Sequence, residues 1–159
     1  MKHFVKAAKM RVSANRDDVL VTNALGSCLG IAVHDCQAGV AGLLHVVLPC
    51  SEVDRAKAKD NPCLFVDTGV PRLFQACYCE GAKKERLHIT VAGGAALNPK
   101  FHDVFEIGKR NLLKLHQLLQ ESGMPIQASD VGSCHSRTLT LFVGTGTVTV
   151  ECRDREIRL

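Results

Sequence analysis

Hydrophobic and polar positions fall in short, clearly bounded blocks along the chain. Residues 18–48 carry three apolar, β-leaning runs: Val19 to Leu25, Leu29 to Val33 and Val40 to Leu48. The turn-like segments Gly26-Ser27-Cys28 and His34-Asp35-Cys36-Gln37-Ala38-Gly39 separate them, and Pro49 closes the third. Residues 51–61 are polar and predict an exposed loop or short helix. From Pro62 to about Cys79 the apolar positions Val66, Val70, Leu73, Phe74 and Cys77 recur at spacings of three and four, which predicts an amphipathic helix open to interruption at Gly69 and Pro71. Leu87 to Val91 predicts a short strand with a tight exit at Gly93-Gly94. A second helix is predicted over about 103–121, burying Val104, Ile107, Leu112, Leu115, Leu118 and Leu119 and stopped by Ser122-Gly123 and Pro125. Ile126 to Val131 reads as a further strand. Leu139, Leu141 and Val143, then Val148, Val150 and Cys152, alternate with polar residues around Gly144-Thr145-Gly146, the pattern of a hairpin. Strands bunched at both ends of the chain around two main helices predict an α+β fold, a layered α/β/β sandwich rather than a doubly wound sheet.

Composition narrows the function. The chain has 159 residues, of which 46% are hydrophobic and 23% charged, enough for one domain spanning 1–159 with a core of its own. Net charge is only +4, aromatics are 4% and tryptophan is absent, so the basic clusters and stacking platforms of a nucleic-acid binder are missing. No apolar run is long enough to insert in a membrane. The stretch Met1 to Met10 scatters lysines where a signal peptide needs unbroken apolar residues, which predicts a cytoplasmic protein whose eight cysteines stay reduced.

The chemistry then turns on which cysteine could react. Cys28 sits in Gly26-Ser27-Cys28-Leu29-Gly30, a small-residue turn that leaves the thiol approachable and surrounds it with backbone N–H groups. On pattern alone the competing reading is an ordinary buried thiol, the commoner state of a free cysteine. His45 interrupts Leu43-Leu44-His45-Val46-Val47-Leu48, either as a hydrogen-bonded core histidine or as the base that a thiol needs. Thr22 lies on the strand entering the turn, as a plain β-former or as a group that orients the imidazole. Cys77 and Cys79 face nearly opposite sides of a helix, and no Cys-x-x-Cys occurs. Cys134-His135 reads as a polar turn and Cys152 as a core-facing position. No metal site or cofactor is expected.

Taken together, Val21-Thr22-Asn23-Ala24-Leu25-Gly26-Ser27-Cys28-Leu29-Gly30, with His45 seventeen residues beyond the cysteine in Leu44-His45-Val46-Val47-Leu48-Pro49, resembles the chemoreceptor glutamine deamidases, the CheD family. The resemblance continues through Gly93-Gly94-Ala95, Ile107-Gly108-Lys109-Arg110-Asn111, Asp130-Val131-Gly132 and the Gly144-to-Val150 hairpin. The chain departs from the usual pattern at Ser133, at Ser136-Arg137 and at Ala96-Leu97-Asn98. The resemblance implies a cytoplasmic amidohydrolase that converts receptor glutamines to glutamates through a thioester on Cys28. In it His45 is the base, Thr22 orients the imidazole, and Gly26 and Ser27 support the turn and its oxyanion donors. It also implies a layered α/β sandwich, the cytoplasmic domains of chemotaxis receptors as substrate, and a CheC-type phosphatase as a partner. The same acyl chemistry would open a glutamate methyl ester. The reading from another class is a non-catalytic chemotaxis adaptor that binds such a phosphatase or receptor.

Overall fold

The computed structural model describes residues 1–98 and 105–159. Ten strands form two five-stranded sheets. The first takes β1 (Lys2–Phe4), β3 (Val19–Leu25), β8 (Arg137–Phe142), β9 (Val148–Cys152) and β10 (Arg155–Arg158), neighbours in that order. The second takes β2 (Lys9–Ser13), β5 (Val40–Val46), β4 (Leu29–Asp35), β6 (His88–Gly93) and β7 (Ala128–Val131). Most pairings are antiparallel; β1 with β3 and β6 with β7 run parallel. The helices α1 (Arg55–Asp60), α2 (Val66–Cys79) and α3 (Ile107–Glu121) lie between β5 and β7 in chain order.

The central strands explain why the sheets stack as they do. Every residue of β4 and β5 is buried, so both faces of this sheet are covered. One face, with Leu29, Ile31, Val33, Leu44 and Val46, joins Val70, Leu73, Leu115 and Leu119 from α2 and α3 in one apolar cluster. The other, with Ala32, Ala41 and Leu43, packs against Leu20, Leu139, Leu141 and Val150 of the first sheet. The helix-facing side is thus built of large aliphatics, whereas the sheet-facing side mixes Leu43 with the small Ala32 and Ala41. The layers are helices, second sheet, first sheet, an α+β sandwich as the pattern predicts.

Several predicted boundaries shift. The 66–79 helix runs unbroken through both suspected breaks. Gly69 N–H donates to Phe65 C=O at 2.7 Å, and Pro71 lies early in the helix on its exposed face, where only one hydrogen bond is forfeited. In α3 the stripe of full burial is Gly108, Asn111, Leu115 and Leu119. Ile107, Leu112 and Leu118 are half-buried at its edges, and Val104, with the predicted start at 103, lies outside the described residues. The polar 51–61 segment becomes a 3-10 turn (Ser51–Val53) followed by α1. Strands β1, β2 and β10 are all edge or near-edge pieces with mixed or fully exposed patterns, which hydrophobic alternation does not reveal. Cys152, expected to face the core, is only half-buried, because it ends β9 opposite Arg155 of the exposed edge strand.

Candidate active site

Cys28 occupies the link between β3 of one sheet and β4 of the other, so the Gly26-Ser27-Cys28 turn crosses from sheet to sheet at one end of the sandwich. The crossing is entered through a bulge: the β3–β8 register shifts between Thr22 and Leu25, with Ala24 in the left-handed region at φ 55°. The turn leaves Cys28 half-buried. His45 pairs across the ladder with Gly30, two residues beyond the cysteine. A Cβ at Gly30 would come within 2.8 Å of Leu25 and 3.3 Å of Thr22 Cγ2. Glycine there lets a β3 side chain reach the imidazole from the opposite sheet.

That side chain is Thr22, and its hydrogen bonds fix the histidine tautomer. Thr22 Oγ1 lies 2.7 Å from Val5 O and 2.7 Å from His45 Nδ1. A carbonyl oxygen carries no proton, so the single hydroxyl proton of Thr22 is donated to Val5 O. The contact with the ring then requires Nδ1–H to donate to Thr22 Oγ1. Nε2 is left as the bare, basic nitrogen, and it is buried with no hydrogen-bond partner. His45 is 3% exposed and Thr22 1%, so this relay is dry. An unpaired buried acceptor costs about 1–3 kcal/mol, and a fold that keeps one beside a thiol turn has the makings of a base.

Burial moves both side chains, Cys28 and His45, toward their neutral forms. It pushes the Cys28 thiol above its ordinary value, with a partial offset from the cysteine's own backbone N–H. It holds the His45 imidazole below its ordinary value. Because His45 Nε2 has no partner, no hydrogen bond joins it to Cys28 Sγ in this resting arrangement. Both facts work against a preformed thiolate–imidazolium pair and favour a neutral thiol that gives up its proton as it attacks.

The backbone around the turn is arranged from behind. Gly26 O accepts from Ala95 N–H (2.8 Å), Ser27 O from the Asn111 side-chain amide (2.9 Å), and Cys28 O from Gly94 N–H (2.9 Å). Gly93, at φ 112°, brings β6 so close that a Cβ there would overlap Cys28 O. The Gly26 N–H is taken by Ala24 O at 3.0 Å. Among the described residues the Ser27 N–H donates to no acceptor, and the Cys28 N–H to none beyond its own thiol.

Val5 is a contributor that motif reading missed, and Gly94, Ala95 and Asn111 stand in the quoted motifs without a role assigned at the site. For Asn111 a signal existed, because it stands at a spacing of four from Ile107 and Leu115, a polar residue in line with a buried stripe. The other cysteines play no part here. All eight are unpaired; Cys63 and Cys77 are buried in the helix-side core, where burial pushes the Cys77 thiol up to about 12, whereas Cys36 and Cys79 are exposed. Among the described residues no three His, Cys, Asp or Glu side chains are placed to share a metal ion, and no helix is long and apolar enough to cross a membrane.

Comparison with known proteins gives one result. The family model for CheD, chemotactic sensory transduction, matches residues 47–152. A probable chemoreceptor glutamine deamidase CheD 1 of Syntrophus aciditrophicus is 41% identical over 155 residues, covering 98% of this chain and 96% of that one. A probable chemoreceptor glutamine deamidase CheD of Solibacter usitatus is 41% identical over 144 residues, covering 90% and 84%. Another, of the archaeon Haloarcula marismortui, is 37% identical over 139 residues, covering 87% and 78%. The model match begins two residues past His45, so Thr22, Cys28 and His45 stand outside it; the match to the Syntrophus protein extends over nearly the entire chain.

Proposed function

Because this chain belongs to the CheD family, we propose that it deamidates glutamine side chains of chemotaxis receptors, with Cys28 as nucleophile, His45 as general base and acid, and Thr22 as the group that holds the imidazole. The observation that carries the assignment is the Val5–Thr22–His45 relay, which leaves Nε2 bare next to the Cys28 turn. The relatives named as chemoreceptor glutamine deamidases supply the reaction class and substrate.

The steps follow from the groups in place. As the glutamine side chain enters, Cys28 Sγ turns toward its carbonyl carbon and passes its proton to His45 Nε2. The S–C bond forms, and negative charge collects on the carbonyl oxygen, where the N–H groups of Ser27 and Cys28, bonded to no other residue, are the available donors; losing one such donor typically costs about 10²–10³ in rate. His45 then delivers the proton to the leaving nitrogen. The C–N bond breaks, ammonia departs, and a thioester remains. A water next gives a proton to Nε2 while its oxygen attacks the thioester; the C–S bond breaks, glutamate leaves and Cys28 is reprotonated. The sum is glutamine plus water to glutamate plus ammonia. A glutamate methyl ester would follow the same course with methanol as the leaving group.

Cys28→Ala is expected to abolish ammonia release from a receptor cytoplasmic fragment while leaving thermal stability near that of the parent protein. Undiminished release from a folded variant would refute the assignment of the nucleophile.

A further inference from the structure

Asn111 is wholly buried on α3, yet its carboxamide is only half satisfied. Nδ2 donates to Ser27 O at 2.9 Å and to Val47 O at 3.0 Å, and Oδ1 has no hydrogen-bond partner. The orientation of the amide is not in question, since only the NH₂ end can face two carbonyl oxygens. A buried acceptor left unpaired is a cost that an aliphatic residue would avoid. The position must therefore be kept for what its two N–H groups hold.

They hold the two segments that carry the reacting side chains. Val47 directly follows β5, two residues from His45, and Ser27 directly precedes Cys28. The contact with Ser27 has a further consequence. Ser27 C=O and Cys28 N–H belong to the same planar peptide unit and point in opposite directions across it. A donor fastened to the carbonyl from the α3 side therefore fixes where the Cys28 N–H points, and it polarises that peptide so that the N–H becomes a stronger donor. Ala95 N–H does the same through Gly26 O for the peptide that carries the Ser27 N–H.

We propose that Asn111 is a positioning residue for the deamidation: its amide locks the Ser27–Cys28 peptide so that the Cys28 N–H is preset toward the oxyanion, and ties that turn to the end of the strand bearing His45. The inference rests on Cys28 being the nucleophile. It makes Asn111 act on the transition state, where charge sits on the oxygen, and hardly on the bound glutamine.

The test compares two reactions of the same sulfur in purified full-length protein. Alkylation by iodoacetamide displaces iodide and generates no oxyanion, whereas deamidation of a receptor fragment does. In Asn111→Ala, kcat for ammonia release should fall about 10²-fold, as when an oxyanion donor is lost, with KM changed by less than about threefold. The alkylation rate of Cys28, read on its own peptide by mass spectrometry, should stay within about threefold of the parent. Asn111→Ser, which keeps one shorter donor and disturbs packing less, should give an intermediate kcat with the same unchanged alkylation, and it carries the test should the alanine variant not fold. An unchanged kcat, or a kcat that falls in step with Cys28 alkylation, would overturn the proposal by making Asn111 dispensable or merely structural. Cys28→Ala run in parallel separates the two readings: it should be inactive, and activity there would remove the nucleophile rather than Asn111's role.

Discussion

Thr22 makes two short contacts with one proton, and that limitation is what gives His45 its direction. With the hydroxyl proton committed to Val5 O, the imidazole has one tautomer open to it, and its basic nitrogen is the buried one without a partner. Thr22→Val keeps the shape and removes the acceptor, so the ring loses both its anchor and its tautomeric bias. Turnover should fall at least about 10- to 10²-fold, the loss found when a partner that orients a metal-bound imidazole is removed, and Thr22→Ser should recover most of it; steady-state kinetics of the pair checks this. The pH profile follows from the same burial. His45 must be neutral to act as base, and its ionisation is pushed below the ordinary 6.5, while the Cys28 thiol is pushed above its ordinary 9.0. Activity carried by neutral His45 and neutral Cys28 should thus rise with a midpoint on the acid side of 6.5, fall with a midpoint on the alkaline side of 9.0, and stay level between the two. A measured kcat/KM that climbs steadily through that interval would instead indicate that only thiolate reacts. The residues of this relay were legible in part. His45 stands out as a polar break in an apolar run and Cys28 as the thiol of a small-residue turn, and Thr22 is a candidate beside them. Val5 could not be found, because it contributes a carbonyl, which every residue type owns.

Strand β4 sets the geometry at the next scale, since its two faces serve different layers. Its Leu29-Ile31-Val33 face builds the helix-side core, and its Gly30-Ala32-His34 face meets the other sheet. Gly30→Ala places a methyl against Leu25 and Thr22. Overpacking of this kind costs about 1–3 kcal/mol, and here Thr22 of the relay is crowded along with Leu25. A lowered Tm together with a fall in kcat is expected; a stable variant of full activity would mean that the sheets yield more easily than their packing implies. Strands buried on both faces were plain as continuous apolar runs, and β3 matches its predicted limits. The edge strands were not, since a strand with one neighbour and a wet face carries little hydrophobic pattern. For α3 the spacing of leucines located the helix, but its true seam runs through Asn111, a polar residue placed there by its hydrogen bonds to the turn.

At the scale of the molecule the two sheets and the helix layer each deliver one part of the site. The first sheet supplies Thr22, the second supplies His45, the crossing between them supplies Cys28, and α3 braces the crossing from behind. Such a site is cheap to build only where a strand leaves one sheet and the next begins in the other. The layering was legible as a class from the order of elements; which strands pair across the chain, β3 with β8 or β6 with β7, was not, because those contacts join segments far apart in sequence. The most direct test of the whole arrangement is mass spectrometry of a receptor cytoplasmic fragment incubated with the purified protein. The parent protein should add about one dalton at particular glutamines, the mass change of amide hydrolysis through an acyl-enzyme, and Cys28→Ala should add none. Glutamines left unmodified by the parent protein, or modified equally by the variant, would contradict the arrangement.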